Sequence, residues 1–194
     1  MNKLYLFKDQ DDYVKELTSD KVINVIGTKG SGKTTTSLKY IEDDDYIVVN
    51  LDSLFDSPGA NEKDPELPKI RDMLIKKYGY LQDGYDFINY YNDIVEYSKK
   101  KNKTLLIEGN SIEDLDPKDL KGKIIVKRTG VFKSFKRSVK RDYKNEYFMN
   151  LEKEKHKYFY KLSRLYKITK RRKKIFKQYK NIENVIDKIE KYND

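Results

Sequence analysis

Residues 27–34 read GTKGSGKT, and their types and spacing suit one kind of chemistry. Gly27, Gly30 and Gly32 allow the chain to curl so that successive backbone N–H groups, from Thr28, Lys29 and Ser31 among them, point at a common centre. If a helix starts there, its N-terminus adds partial positive charge, and the nest fits phosphate oxygens. Lys33 is spaced to reach the β and γ phosphates, the Thr34 hydroxyl to hold Mg²⁺, and Thr35 to sit near the α phosphate. The pattern is that of a P-loop (Walker A), and the expected ligands are ATP and Mg²⁺. No NKxD guanine motif follows a later strand, so nothing in the chain favours GTP.

Other candidates lie at the ends of apolar runs. TLLIEGN places a single carboxylate, Glu108, at the edge of a buried strand. There it can hold Mg²⁺ through water, touch an acceptor, or serve structure alone. Motor ATPases often carry an Asp-Glu pair at that point, the second carboxylate polarising water. Its lack here favours transfer to a bound acceptor over hydrolysis. VVNLDSLFDSPG puts Asp52 at the end of an earlier strand, across a cleft from the loop, where it would orient or deprotonate an acceptor hydroxyl or simply cap a turn; Asp56 is a weaker second. Arg137 and Arg141 stand four apart, so one helical face carries both toward transferring phosphate oxygens or into solvent. Arg128 is placed to stack on adenine.

The elements that would position these residues follow from short β-rich runs alternating with amphipathic stretches, the pattern of a parallel sheet with crossover helices. Strands are expected at Lys21–Ile26, Tyr46–Leu51, Thr104–Ile107, Lys123–Lys127 and Lys174–Tyr179. Helices are expected from the glycine loop to about Ile41, over Leu67–Tyr78 and over Asp86–Lys101. Phe132, Phe135, Val139, Tyr143 and Phe148, then Tyr158, Phe159, Leu162 and Leu165, space out a long basic helix or helical hairpin. A last helix from Asn181 turns Ile182, Val185, Ile186 and Ile189 to one side. The fold class is α/β: a P-loop NTPase with three α/β/α layers, a five-stranded mostly parallel sheet of the nucleoside/nucleotide kinase kind, and a basic helical lid. Residues 1–194 form one domain, with 57–101 as an acceptor-side helical segment and 130–172 as the lid.

Composition narrows the choices. The absence of cysteine excludes disulfides and thiolate metal sites, and one histidine leaves little for a His-based cluster. No apolar run approaches the roughly 20 residues of a membrane span, and the first residues show no signal or transit pattern, so the chain is read as cytoplasmic with no membrane partner. Residues 1–120 hold 17 Lys and Arg against 24 Asp and Glu, whereas 121–180 hold 23 against 4. So one-sided a block suits a phosphate-binding lid, a nucleic-acid surface, a contact for an acidic partner, or a solvated helix face. In the last part of it, Tyr158, Phe159, Tyr160, Tyr166, Phe176 and Tyr179 are interleaved with KITKRRKK, which would suit stacked bases and a phosphate backbone.

Three segments together resemble a known group. The glycine loop, Leu51, Asp52, Leu54, Phe55, Pro58 and Gly59 after the second strand, and Glu108, Gly109 and Asn110 after the third are similar to the adenylate-kinase-related P-loop kinases known as DNA topology modulation proteins. Arg137 and Arg141 match the spaced arginines of their lid helix. The resemblance spans about residues 20–145 and implies a kinase fold with phosphoryl transfer from ATP. The chain departs from the pattern at Ala60 and Asn61, where an aromatic residue often follows the Pro-Gly, and in its longer, more basic lid.

The leading expectation is therefore an ATP-dependent kinase acting on a small acceptor, a nucleotide, nucleoside or related metabolite. The alternative is a nucleic-acid-associated P-loop protein, either a polynucleotide kinase or an ATP-regulated binding module gripping nucleic acid through 121–180. A kinase toxin of the zeta type is a third reading.

Overall fold

The computed structural model describes residues 4–7, 21–54, 64–79, 81, 87–127, 129–144 and 154–179. Parallel strands β1 (Leu4–Phe7), β2 (Val22–Ile26), β3 (Tyr46–Asn50), β4 (Thr104–Glu108) and β5 (Lys123–Lys127) lie in the order β1-β5-β2-β4-β3. The helices are α1 (Lys33–Ser37), α2 (Leu67–Tyr78), α3 (Phe87–Lys100), α4 (Val131–Lys144) and α5 (Glu154–Tyr179). The protein is thus α/β with a parallel sheet.

Burial on both faces of the sheet explains the nearly unbroken apolar strands. Val22, Ile26, Ile47, Val49, Leu105 and Ile107 face one core, which also takes Ile70 and Leu74 of α2 and Tyr91, Ile94 and Val95 of α3. Ile23, Val25, Val48, Leu106 and Ile125 face a second, smaller core beneath Tyr40 and Ile41. The one polar side chain within β2, Asn24, is fully buried, and its amide is satisfied by the Lys121 and Lys123 carbonyls at 2.7 and 3.0 Å and by the Tyr91 hydroxyl at 3.0 Å. Burial pushes the Tyr91 hydroxyl up to about 12, so it stays a donor throughout the ordinary pH range. At the open edge, the Val48 N–H donates to Asp64 at 2.7 Å, which blunts β3 as a template for further pairing.

The strands expected at 21–26, 46–51, 104–107 and 123–127 appear within a residue at each end. Lys174–Tyr179 does not form a strand; it completes α5, whose inward face carries Ile168 and Ile175, both almost fully buried. That helical period outweighs the β-branched and aromatic character of the segment. The outer edge next to β5 is held instead by β1, from a stretch not expected to be a strand. The first helix is shorter than expected, breaking into a 3-10 turn at Leu38–Tyr40. Asp56, Arg128 and the Asn181 helix lie outside the described residues.

The order of strands sets the site. From β2 the chain crosses to β3 on one side, and from β4 it crosses back past β2 to β5 on the other. Connections that diverge in this way open a crevice at the carboxyl ends of the strands, and the Gly27–Thr34 loop leaves β2 there.

Candidate anion-binding site

A cleft of about 740 Å³ opens at that crevice, within the range of small-molecule sites. Thr28, Lys29, Gly30, Gly32, Lys33, Thr34 and Thr35 line it from the loop, Asp52 and Glu108 from the strand ends, and Arg137 and Arg141 from α4. Gly27 and Ser31, in the same loop, do not line the cleft. Ser31 is fully buried, and its carbonyl accepts from the Thr129 hydroxyl at 2.9 Å. Six of the lining residues are cationic, Lys29, Lys33, Lys127, Lys133, Arg137 and Arg141, against two carboxylates, so the cleft is built for an anion.

The loop owes its shape to its glycines and its position to α4. Gly30 has φ +82° and Gly32 φ +89°, and Gly32 is the N-cap of α1. Ser134 and Ser138, fully buried on α4, bring that helix's backbone against Gly30. The Arg137 guanidinium lies 3.6 Å from where a Cβ on Gly32 would stand. From β5, Lys127 donates to the Gly32 carbonyl at 3.3 Å and to the Thr36 hydroxyl. Lys127 was not singled out in the sequence because it reads as an ordinary strand residue; it is buried and meets the loop from below.

Lys33 is held by more than the loop. Its ammonium donates to the Gly27 carbonyl and stands 3.5 Å from Glu113, a carboxylate only 1% exposed. The other oxygen of Glu113 accepts from Arg171 of α5, and Arg171 also donates to the Asn110 carbonyl at 2.6 Å. Burial pushes the Glu113 carboxyl above its usual range, and Lys33 and Arg171 pull it back. Nothing in the sequence marks Glu113 out from the other acids of its loop. Arg172 on Thr129, Lys174 on Asp114 and Gln178 on Leu115 fasten the same stretch of helix. From Ile168 onward α5 is therefore packed on the body, and of the described residues in the segment expected to be a lid only those of α4 line the cleft.

The two carboxylates differ. Glu108 is 2% exposed; burial raises its carboxyl, opposed by nearby Lys33 and by a hydrogen bond from the Thr34 side chain, while the Asn50 amide donates to it at 2.8 Å. No protein-family model matches the chain, and no curated protein is detectably similar to it. Among the described residues no cluster of three His, Cys, Asp or Glu exists that could enclose a metal ion. An ion here would need oxygens from its ligand beside Thr34 and Glu108. None of the helices among those residues is long and apolar enough to cross a membrane.

Asp52 borders the cleft, but its oxygens are occupied. They accept from the Asn110 N–H at 2.9 Å and its amide at 2.9 Å, and from the Ser111 hydroxyl at 3.2 Å. Arg71, buried on α2, donates to the Ser53 and Leu54 carbonyls and fixes the turn that presents Asp52. Asp52 thus caps the 110–114 segment, one of the roles expected of a carboxylate at that strand end, while still lining the cleft. Asp52→Asn is expected to lower stability by about 1–2 kcal/mol, the usual loss for a damaged cap. Turnover per folded molecule should change less than threefold. Denaturant titration beside an activity assay checks both, and a rate collapse with unchanged stability would return Asp52 to the chemistry.

Proposed function

We propose that the protein is a P-loop phosphotransferase that binds ATP with Mg²⁺ at the Gly27–Thr34 loop and passes the γ-phosphoryl group to a small anionic acceptor. The observation that carries this reading is the convergence on one glycine-built loop, at the carboxyl edge of a parallel sheet, of six cationic side chains and one buried carboxylate, Glu108. The resemblance to adenylate-kinase-related P-loop kinases points the same way.

The residues fit both ligands. Backbone N–H groups of Thr28, Lys29, Gly30 and Gly32 and the α1 N-terminus suit phosphate oxygens, whereas the Ser31 N–H, expected to join them, donates to the Thr28 carbonyl at 2.9 Å. Lys33, Lys127, Arg137 and Arg141 surround them with positive charge, which matters most where charge builds up during transfer. Thr34 and Glu108 would hold Mg²⁺, which, when bound, offsets the charge of the β and γ phosphates. In the transfer an acceptor oxygen forms a bond to the γ phosphorus as the bond to the β–γ bridging oxygen breaks, leaving ADP. With Asp52 committed to capping and Glu108 assigned to Mg²⁺, no other carboxylate among the described residues lines the cleft to take a hydroxyl proton. An acceptor that already presents a phosphate oxygen needs none, so a nucleotide fits better than a neutral alcohol.

The test is to incubate the protein with ATP and Mg²⁺ and follow phosphate by mass spectrometry across nucleoside monophosphates, nucleosides, small metabolites and 5′-hydroxyl oligonucleotides. A phosphorylated nucleotide that Lys33→Ala fails to make is the expected result; tight ATP binding with no transfer to any acceptor would overturn it.

Glu108 adds a pH signature. Its carboxyl sits above the ordinary carboxylate range chiefly because burial penalises the charge, and a metal needs the ionised form. The Mg²⁺-dependent gain in ATP affinity should therefore fade on acidification at a higher pH than an ordinary carboxylate would set. Glu108→Gln should abolish that gain while leaving metal-free ATP binding equal or tighter, since a negative charge beside the phosphates is gone. Titration of a fluorescent ATP analogue with and without Mg²⁺ reads both, and a pH-independent gain would remove Glu108 from the metal site.

A further inference from the structure

Six large apolar side chains are exposed among the described residues, and four of them, Tyr158, Phe159, Leu162 and Tyr166, lie on α5 at 62%, 68%, 46% and 66% exposure. Their spacing puts them on one strip of the helix, and exposed Lys170, Lys173 and Lys177 continue the same strip toward its C-terminus. The opposite face is already used, by Ile168, Ile175 and the Arg171–Glu113 pair. No Asp or Glu occurs between Glu154 and Glu183, so nothing along the helix neutralises its own lysines.

We infer that this outward face of α5 binds single-stranded nucleic acid, its aromatic half stacking bases and its lysine half holding backbone phosphates. The structure sorts the aromatics that the sequence interleaves with charge. Tyr160 is engaged by the Arg164 guanidinium and Phe176 lies against Arg172, whereas Tyr158, Phe159 and Tyr166 present their rings to solvent. Flat apolar surface followed in register by positive charge complements a polyanion with accessible bases. A duplex hides its base faces and would leave the rings unused. A helix lying in a lipid surface needs an apolar face along its length, and this strip turns from apolar to basic midway. From Phe159 to Lys177 the strip runs about 27 Å at the helical rise. On α4, which packs along α5, the exposed Lys136 and Lys140 add further positive charge. The inference stands apart from the transfer reaction, because the strip is outside the cleft.

Anisotropy of a labelled oligothymidylate tests it. Binding is expected to weaken steeply with salt, at about −0.7 in log–log slope per phosphate contact. The triple variant Lys170→Glu, Lys173→Glu, Lys177→Glu should flatten that slope by about 2. Phe159→Ala with Tyr166→Ala should weaken binding at least about 10-fold and leave the slope unchanged. Both variants should keep wild-type affinity for a fluorescent ATP analogue, which also shows that they fold. Failure of the oligonucleotide to bind at low salt, equal affinity for duplex, indifference to either variant, or uptake onto anionic phosphatidylserine vesicles in place of the oligonucleotide would each overturn the inference. Loss of ATP binding in the wild type would instead count against the proposed function and leave the strip untouched.

Discussion

Lys33→Ala is expected to lower phosphate transfer by roughly 10²–10³-fold, the scale of removing one group that meets developing charge, and to change stability in a pH-dependent way. The first effect follows from the loop's role in the proposed reaction. The second follows from Glu113, buried at 1% exposure between Lys33 and Arg171. Its folded-state pKa is already raised by burial, so the stability this group contributes is present below the ordinary carboxylate range and is lost as pH rises through the raised value. Removing Lys33 removes one of the two charges that hold the value down. The carboxyl then stays protonated to higher pH, and keeping it ionised near neutrality costs more. The stability gap between variant and wild type should be small at pH 5 and wider at pH 8, up to about 3 kcal/mol, below the usual cost of breaking a buried pair because Arg171 remains. Urea midpoints at the two pH values measure it. A constant gap would mean that Glu113 does not depend on Lys33.

Gly30→Val is expected to be the most damaging single change to the fold of the site. Gly30 has φ +82°, which alone costs a branched residue about 1–3 kcal/mol. A Cβ there would stand 2.3 Å from the Ser134 carbonyl oxygen and 3.2 Å from the Ser138 nitrogen, both backbone atoms of α4. Neither can swing aside as a side chain would; the helix itself must move, carrying Arg137 and Arg141 with it. A loss of about 3 kcal/mol or more, together with loss of binding of a fluorescent ATP analogue, is the expected outcome. Gly79→Val is a suitable control, since Gly79 also has a positive φ, +80°, but no atom within 4 Å of an added Cβ. If the two variants lost equal stability, backbone conformation alone would be responsible and the contact with α4 would carry no weight.

Strands β2 to β5 were legible because each is a short apolar run buried on both sides, and α2 and α3 because their apolar spacing is regular over three turns or more. The fifth strand was misplaced for a local reason: residues 174–179 look β-like one at a time, and only the inward series of Ile168, Arg171 and Ile175 shows the helical period. The glycine loop was legible because its chemistry lies within eight consecutive residues. Glu113 was not, since its significance depends on Arg171, 58 residues away. Lys127 was not, because a lysine ending a strand says nothing of what lies above it. Asp52 was found for its place at a strand end, but which of two roles a carboxylate there fills depends on donors in Asn110 and Ser111 that no sequence pattern displays.

The shared counter-ion between the loop and α5 makes the two ends of the molecule partners in one balance. Glu113 answers to Lys33 on one side and to Arg171 on the other, and a ligand that draws the lysine toward the cleft leaves the arginine as the remaining cationic partner of that buried carboxylate among the described residues. A carboxyl that has lost one of the two charges favouring its ionised form protonates more readily, so filling the loop is expected to loosen the ion pair that seats α5. By reciprocity, whatever strengthens or loosens the seat of α5 is expected to shift affinity at the loop by the same factor, so the helix carrying the outward aromatic strip and the loop facing the cleft report on each other.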